Sequence, residues 1–217
     1  MLSVRELGTG GCERDLSKLA LKINRDLFQP HVGYFLEGFR IPELKEAGIP
    51  LVDLGVNSFK NVSTLRGALR FRNYVARNNI VLSHAYDVPA SIFTAAVGWL
   101  TGPKCIVTSM LGYRDLFPRR EQQLLRLTDR FSDRIVVNSR AVLKHMIEDE
   151  GIAPGKLFLS HNGYIPETFY PLSEATNQPE VLRDYDVVIG VIAALRPEKN
   201  IGLLLNCLLY TSPSPRD

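Results

Sequence analysis

The sequence is poor in the features that would assign it to several protein classes. It has three cysteines, Cys12, Cys105 and Cys207, far apart and with no C-x-x-C and no Cys/His cluster. That argues against a zinc site or a disulfide framework, and a sparse, odd set suits a reducing cytoplasm. Charge of one sign is also missing: 26 Lys and Arg against 23 Asp and Glu leave a net charge of +3. This excess is too small to argue for a nucleic-acid partner. No charged segment followed by an apolar one opens the chain, so no signal peptide is read. The longest apolar stretch, Pro89 to Leu100, contains Ser91 and Thr94 and is too short for a bilayer span of ~20 residues. What remains, 45% hydrophobic and 23% charged residues over 217 positions, is a globular composition with room for a full domain and a fragment of another.

Short apolar runs alternate with longer segments of helical period. Strands are predicted at Val32–Leu36, Leu51–Leu54, Ile80–Ser83, Cys105–Ser109, Arg134–Asn138, Leu157–Ser160 and Val188–Ala194, after a bare strand's worth of residues at Met1–Arg5. They are rich in Val, Ile and Leu and run continuously, the pattern of strands buried on both faces of a parallel sheet. Helices are predicted at Glu13–Asn24, Pro42–Ala47, Thr64–Arg77, Pro89–Leu100, Arg119–Phe131 and Ser139–Glu150. Ser139 stands at a helix N-cap and Gly151 at a helix stop. The β-α alternation predicts an α/β fold, a Rossmann-like doubly wound parallel sheet. In such sheets ligands bind beyond the carboxyl ends of the strands.

The spacing predicts a domain over 1–170, a polar, proline-bearing linker over 171–186, and the first strand and helix of a second Rossmann-like domain over 187–206. Residues 207–217 break the pattern with a Ser/Pro ending. They are read as an artefactual or disordered tail, resembling translated adapter sequence. The short opening suggests that the N-terminus is clipped as well.

Four constellations carry chemistry. Gly8-Thr9-Gly10-Gly11-Cys12-Glu13 opens a helix after the first strand. Glycines admit a ligand close to the backbone, and a helix N-terminus offers free N–H groups to a phosphate. It is neither G-x-G-x-x-G nor a Walker A loop, and a ligand-free turn explains it equally well. Arg196-Pro197-Glu198-Lys199-Asn200 sets two cations at a strand-to-helix turn, where they can clamp a diphosphate; a solvated turn is the commoner case. His84 follows the third interior apolar run and is read at the ligand edge as the catalytic candidate, a hydrogen-bond donor or an acid/base group, against the plainer alternative of a structural histidine. His31, His145 and His161 have no partner spacing and are read as structural or exposed. Finally, Lys60, Arg66, Arg70, Arg72 and Arg77 fall in a stretch without acids, on a helix whose Leu65, Ala68, Leu69 and Val75 form an apolar side. Such a helix suits an anionic membrane or a plain solvated face.

Each piece is weak, but their order is not. Gly-Gly-x-Glu, His84, Asp133-Arg134-Ile135-Val136-Val137-Asn138-Ser139, Asn162-Gly163-Tyr164 with Phe169-Tyr170-Pro171, and Arg196-x-x-Lys199-Asn200 resemble, in that order, glycosyltransferase family 4. The likeness covers about residues 4–206. It implies the GT-B fold, two Rossmann-like domains facing a cleft, of which this chain holds the N-terminal, acceptor-side one and a stub of the donor-binding one. It implies a retaining transfer of a hexosyl or related group from a nucleotide-sugar donor to a glycan or lipid-linked acceptor, in cell-envelope or exopolysaccharide synthesis. Gly10 and Gly11 would approach the donor diphosphate, Arg196 and Lys199 would hold it so that no metal or other cofactor is needed, and His84 would be the cleft histidine near the sugar. The enzyme would be cytoplasmic, docked peripherally on the inner membrane face through Lys60, Arg66, Arg70, Arg72 and Arg77. The family's Glu-x7-Glu pair does not occur anywhere in the sequence, so the fragment by itself is expected to be inactive. The alternatives are another GT-B relative, a sugar-nucleotide epimerase or a phosphorylase, and a non-catalytic Rossmann-like binding module.

Overall fold

The computed structural model describes residues 1–164, 187–193, 195 and 197–211. The chain divides into two compact units, Met1–Gly163 and Tyr164–Asp217.

The first unit is a seven-stranded, all-parallel sheet: β1 (Leu2–Glu6), β2 (Val32–Leu36), β3 (Leu51–Asp53), β4 (Leu82–Ala85), β5 (Cys105–Met110), β6 (Arg134–Val137) and β7 (Leu157–Leu159). Its spatial order is β3-β2-β1-β4-β5-β6-β7. The helices are α1 (Gly11–Lys22), α2 (Ile41–Glu46), α3 (Val62–Arg77), α4 (Val88–Thr101), α5 (Arg119–Thr128) and α6 (Arg140–Glu148). Right-handed crossovers decide which face each helix covers. From β1 the chain moves outward to β2 and β3, so α1 and α2 pack on one face, where Leu16, Ala20 and Leu44 meet Leu2, Val4, Val32 and Tyr34. From β3 it returns across the sheet and proceeds to β7, so α3 and α4 take the other face. There Phe71, Val75, Ala90 and Phe93 meet Met1, Phe35 and Ala85. Successive residues point to opposite faces of a strand, which is why Leu2 and Val4 join one core and Met1 the other. Each fully buried Val, Leu or Phe among them contributes about 1.5–3 kcal/mol.

β4 lies two residues later than Ile80–Ser83. The Ile80 N–H bonds to the Val75 carbonyl at 3.0 Å and closes α3, so Ile80 belongs to a helix end although it is buried like a strand residue. In the second unit, α7 (Ile201–Thr211) follows a short 3-10 turn at Pro197–Lys199. Residues 188–193 of the predicted Val188–Ala194 carry no strand, and no strand among the described residues pairs with them; a strand without a ladder partner leaves its N–H and C=O groups unbonded. Residues 207–211, read as the start of a tail, are helical, as their good helix formers Leu208 and Leu209 allow. The linker 171–186 and residues 212–217 lie outside the described residues.

Candidate functional site at the carboxyl edge of the sheet

The sheet order reverses between β1 and β4, and a crevice at the carboxyl end of such a pair is where open α/β sheets bind ligands. The loop after β1 runs from the fully buried Leu7 through Gly8 to Gly11. Gly10 is the N-cap of α1 and supplies no side chain, so the first N–H groups of the helix have no side-chain cap. A Cβ on Gly11 would meet nothing within 4 Å, so the helix start is open. A Cβ on Gly10 would stand 2.1 Å from Glu13 Oε2. The Glu13 carboxylate therefore folds back over the helix N-terminus, where negative charge is favoured. An anionic ligand at this place would displace it.

A second loop fixes the first. A Cβ on Gly38, just after β2, would fall 2.1 Å from the Leu7 carbonyl oxygen and 2.8 Å from the Gly8 nitrogen, so only glycine fits. Arg40 then ties the loops together. Its backbone N–H donates to Leu7 O at 3.1 Å, its Nε to Gly8 O at 3.0 Å, and its Nη1 to Glu43 at 3.1 Å. Neither Gly38 nor Arg40 stands out in the sequence, because a loop glycine has no pattern and Arg-Ile-Pro-Glu looks like a solvated helix start.

On the β4 side of the crevice stand Tyr86 and Asp87. Asp87 caps α4, its Oδ1 accepting from the Ala90 N–H at 2.8 Å and its Oδ2 from the Arg5 N–H at 2.7 Å. Burial pushes its carboxyl up to about 6, against the pull of those two N–H groups and with a further push from Glu13. Burial and the Asp87 charge push the Cys12 thiol up to about 12, so it stays protonated and poorly nucleophilic. His84 is placed differently from the sequence reading. It sits inside β4, short of the edge, with Nε2 at 2.8 Å from Ser109 Oγ and its ring 4.5 Å from that of Tyr86. Burial, helped by the N-terminal ammonium, lowers its pKa to about 4, so the imidazole is neutral at physiological pH.

Farther along the edge, Ser139 caps α6 by accepting from the Val142 N–H at 3.2 Å. The Asn138 carbonyl lies 3.1 Å from His161 Nδ1, which brings the β6 and β7 turns together. The loop after β5 is anchored by Arg114, 1% exposed, whose guanidinium bonds Asp129 and Glu150; Glu150 is gripped in turn by Arg126 through two bonds of 2.8 Å. His31 and His145 are buried in structural bonds, to Tyr74 at 2.9 Å and Asp149 at 2.7 Å, and His161 is exposed.

In the second unit Lys199 is exposed at the end of the 3-10 turn, and Arg196 lies outside the described residues. On α3, Arg66, Arg70, Arg72 and Arg77 are exposed, as is Lys60 before it. Of the apolar side read from the sequence, Leu65 and Leu69 face solvent while Val75 is buried, together with Gly67 and Phe71. A cavity of about 330 Å³ opens at the opposite, amino edge of the sheet between Leu19, Phe28, His31 and Leu82, and its lining is mainly apolar. Among the described residues no group of His, Cys, Asp and Glu is arranged to hold a metal ion, and no helix is long and apolar enough to cross a membrane.

A glycine turn into a helix without a side-chain cap, at the switch point of a seven-stranded parallel sheet, defines the class: a Rossmann-like domain. The family profile of Glycosyltransferase Family 4 matches residues 9–168, and the chain belongs to that family. Solved GT-B glycosyltransferases share its fold. Anabaena HepE, determined in complex with UDP and glucose, is 18% identical with a TM-score of 0.62 over 75% of this chain and 44% of its own. The lipopolysaccharide outer core galactosyltransferase WaaB is 13% identical, with a TM-score of 0.61 over 75% and 45%. A glycosyltransferase from Rickettsia africae is 19% identical, with a TM-score of 0.60 over 99% and 50%. The chain thus spans half or less of the length of these proteins. No curated protein sequence matches it.

Proposed function

We propose that the chain is the acceptor-side half, with the start of the donor-side half, of an enzyme that moves a hexosyl group from a nucleotide-sugar to a glycan or lipid-linked acceptor. The observation that carries the reading is the N-terminus of α1 at Gly10 and Gly11, which no side chain caps and over which only the Glu13 carboxylate folds, held at the switch point by Gly38 and Arg40. The backbone N–H groups there would meet the donor diphosphate. Arg196 and Lys199 would neutralise charge developing on the departing nucleotide, an electrostatic role that calls for no metal. HepE, solved with UDP and glucose, supports a nucleotide-sugar as the donor class. His84, neutral and bonded to Ser109, would position Tyr86 at the sugar rather than exchange a proton. Retention of configuration, a place in cell-envelope or exopolysaccharide synthesis, and a cytoplasmic location against the inner membrane face complete the proposal. The last is supported by the exposed Lys60, Arg66, Arg70, Arg72 and Arg77.

Saturation-transfer NMR with UDP-glucose, UDP or NAD as sole ligand tests the reading. Transfer to both uridine nucleotides and none to NAD is expected. Transfer to NAD alone would replace the transferase by a dinucleotide-binding module. Turnover is expected to be absent, because the 217 residues contain no Glu-x7-Glu.

A further inference from the structure

Helix α3 has two apolar faces. Gly67, Phe71 and Val75 are buried against the sheet side. On the opposite side Val62 is 61% exposed, Leu65 64% and Leu69 48%, and Phe59, in the loop leading into the helix, is 41% exposed. That loop is built rather than loose: Thr64 Oγ1 donates to Ser58 O at 2.8 Å and the Asn57 N–H to Ser63 Oγ at 3.1 Å. At roughly 100° per residue, Val62, Leu65, Leu69 and the exposed Ala76 fall within an arc of about 60°. The same rotation sets Arg72 on one side of this ridge and Arg66, Arg70 and Arg77 on the other. No acidic residue occurs between Lys60 and Asn79. Arg70 shares a loose contact of 3.9 Å with Asp53, and among the described residues no ion pair engages Arg66, Arg72 or Arg77.

We infer that the ridge of Phe59, Val62, Leu65 and Leu69 inserts into an anionic lipid bilayer while the flanking arginines bind the lipid phosphates. The inference rests on the peripheral-membrane part of the proposed function and deepens it. Charge alone predicts adsorption onto the surface, whereas an aliphatic row between arginines is the arrangement of a helix lying within the interface. Long arginine side chains on both flanks reach up to the phosphates while the aliphatic row sits below them. An acidic protein surface would satisfy the arginines but would leave the leucines without apolar contact. α3 starts at the carboxyl edge of the sheet and Phe59 precedes its first turn, so the inserted end lies on the side where the glycine loop opens. A lipid-anchored acceptor would therefore reach the site without leaving the membrane.

Flotation of the full chain with vesicles tests this. The vesicles are phosphatidylcholine alone or phosphatidylcholine with phosphatidylglycerol. The variants are Leu65→Gln with Leu69→Gln, which keeps charge and helix propensity, and Arg66→Gln with Arg72→Gln. Both leave the apolar helix α7 intact, so the readout is the difference between variants. The wild type is expected to float with the phosphatidylglycerol vesicles and the leucine variant to partition about tenfold less or weaker, at low and at high salt. The arginine variant is expected to lose about tenfold at low salt and little at high salt, where screening already removes its contribution. Equal partitioning of the leucine variant and the wild type would overturn insertion. No flotation of the wild type would overturn the membrane as partner and leave the ridge to a protein. Nucleotide-sugar binding is read separately, so either failure leaves the transferase reading standing or falling on its own test.

Discussion

Gly11→Ala separates the fold from the function. Gly11 is the first residue of α1, its φ is not in the left-handed region, and a Cβ there meets nothing within 4 Å. The folded chain therefore accepts a methyl group without strain. Alanine is favoured over glycine in helices by up to about 1 kcal/mol, and less at a first-turn position, so the variant is expected to gain a few tenths of a kcal/mol. A diphosphate bonded to the N–H groups of Gly10 and Gly11 would occupy the space the methyl enters. Losing one or two charge-assisted hydrogen bonds, at about 1.5–3 kcal/mol each, weakens binding tenfold or more. Urea denaturation and an NMR titration with UDP-glucose on the same sample measure both quantities. A variant that is as stable as the wild type and binds UDP-glucose equally well would refute the assignment of this helix start to the ligand.

Other consequences are open to measurement. Gly38→Ala forces a Cβ against the Leu7 carbonyl and should cost about 1–3 kcal/mol in urea unfolding while shifting the Gly8–Gly11 amide resonances, an effect Gly55→Ala, farther along the edge, would not reproduce at those amides. Arg114→Met leaves Asp129 without its guanidinium partner and should cost about 3–5 kcal/mol; a loss under 1 kcal/mol would show that the ion cluster anchors nothing. His84 and Asp87 act on stability in opposite directions. The lowered His84 pKa, about 4, gives a contribution present above 6.5 and lost as pH falls toward 4; the raised Asp87 pKa, about 6, gives one present below 3.8 and lost as pH rises through 6. Stability of the wild type should thus be nearly flat between pH 4 and 6, with His84→Gln gaining on acidification and Asp87→Asn losing; parallel pH profiles would contradict both assignments.

The alternation of apolar runs and helical segments was enough for the sheet, because strands covered on both faces are mostly Val, Ile and Leu even where a Ser83 or a Thr108 is buried among them. Val32–Leu36 is legible to the residue since Pro30 and Glu37 bound it. β4 is misplaced by two residues because burial alone cannot distinguish a helix-closing Ile80 from a strand residue. That slip moved His84 to the edge and hid Asp87, whose position before Val-Pro at a helix start was a usable capping signal. Gly10 and Gly11 were readable from the turn itself. Gly38 and Arg40 were not, because their importance lies in the approach of two loops distant in sequence. Arg114 looks like one more surface arginine in a basic stretch, and only the fold brings Asp129 and Glu150 to it. On α3 the composition gave an amphipathic helix, but which leucines pack depends on where the helix meets the sheet.

The most direct test of the central claim is an amide-resolved NMR titration of the chain with UDP-glucose. Shifts concentrated on Gly8 to Glu13, and on Tyr86 and Asp87 across the crevice, are predicted. Shifts confined to the apolar cavity around Leu19, Phe28 and Leu82 at the amino edge, with the glycine loop silent, would contradict it.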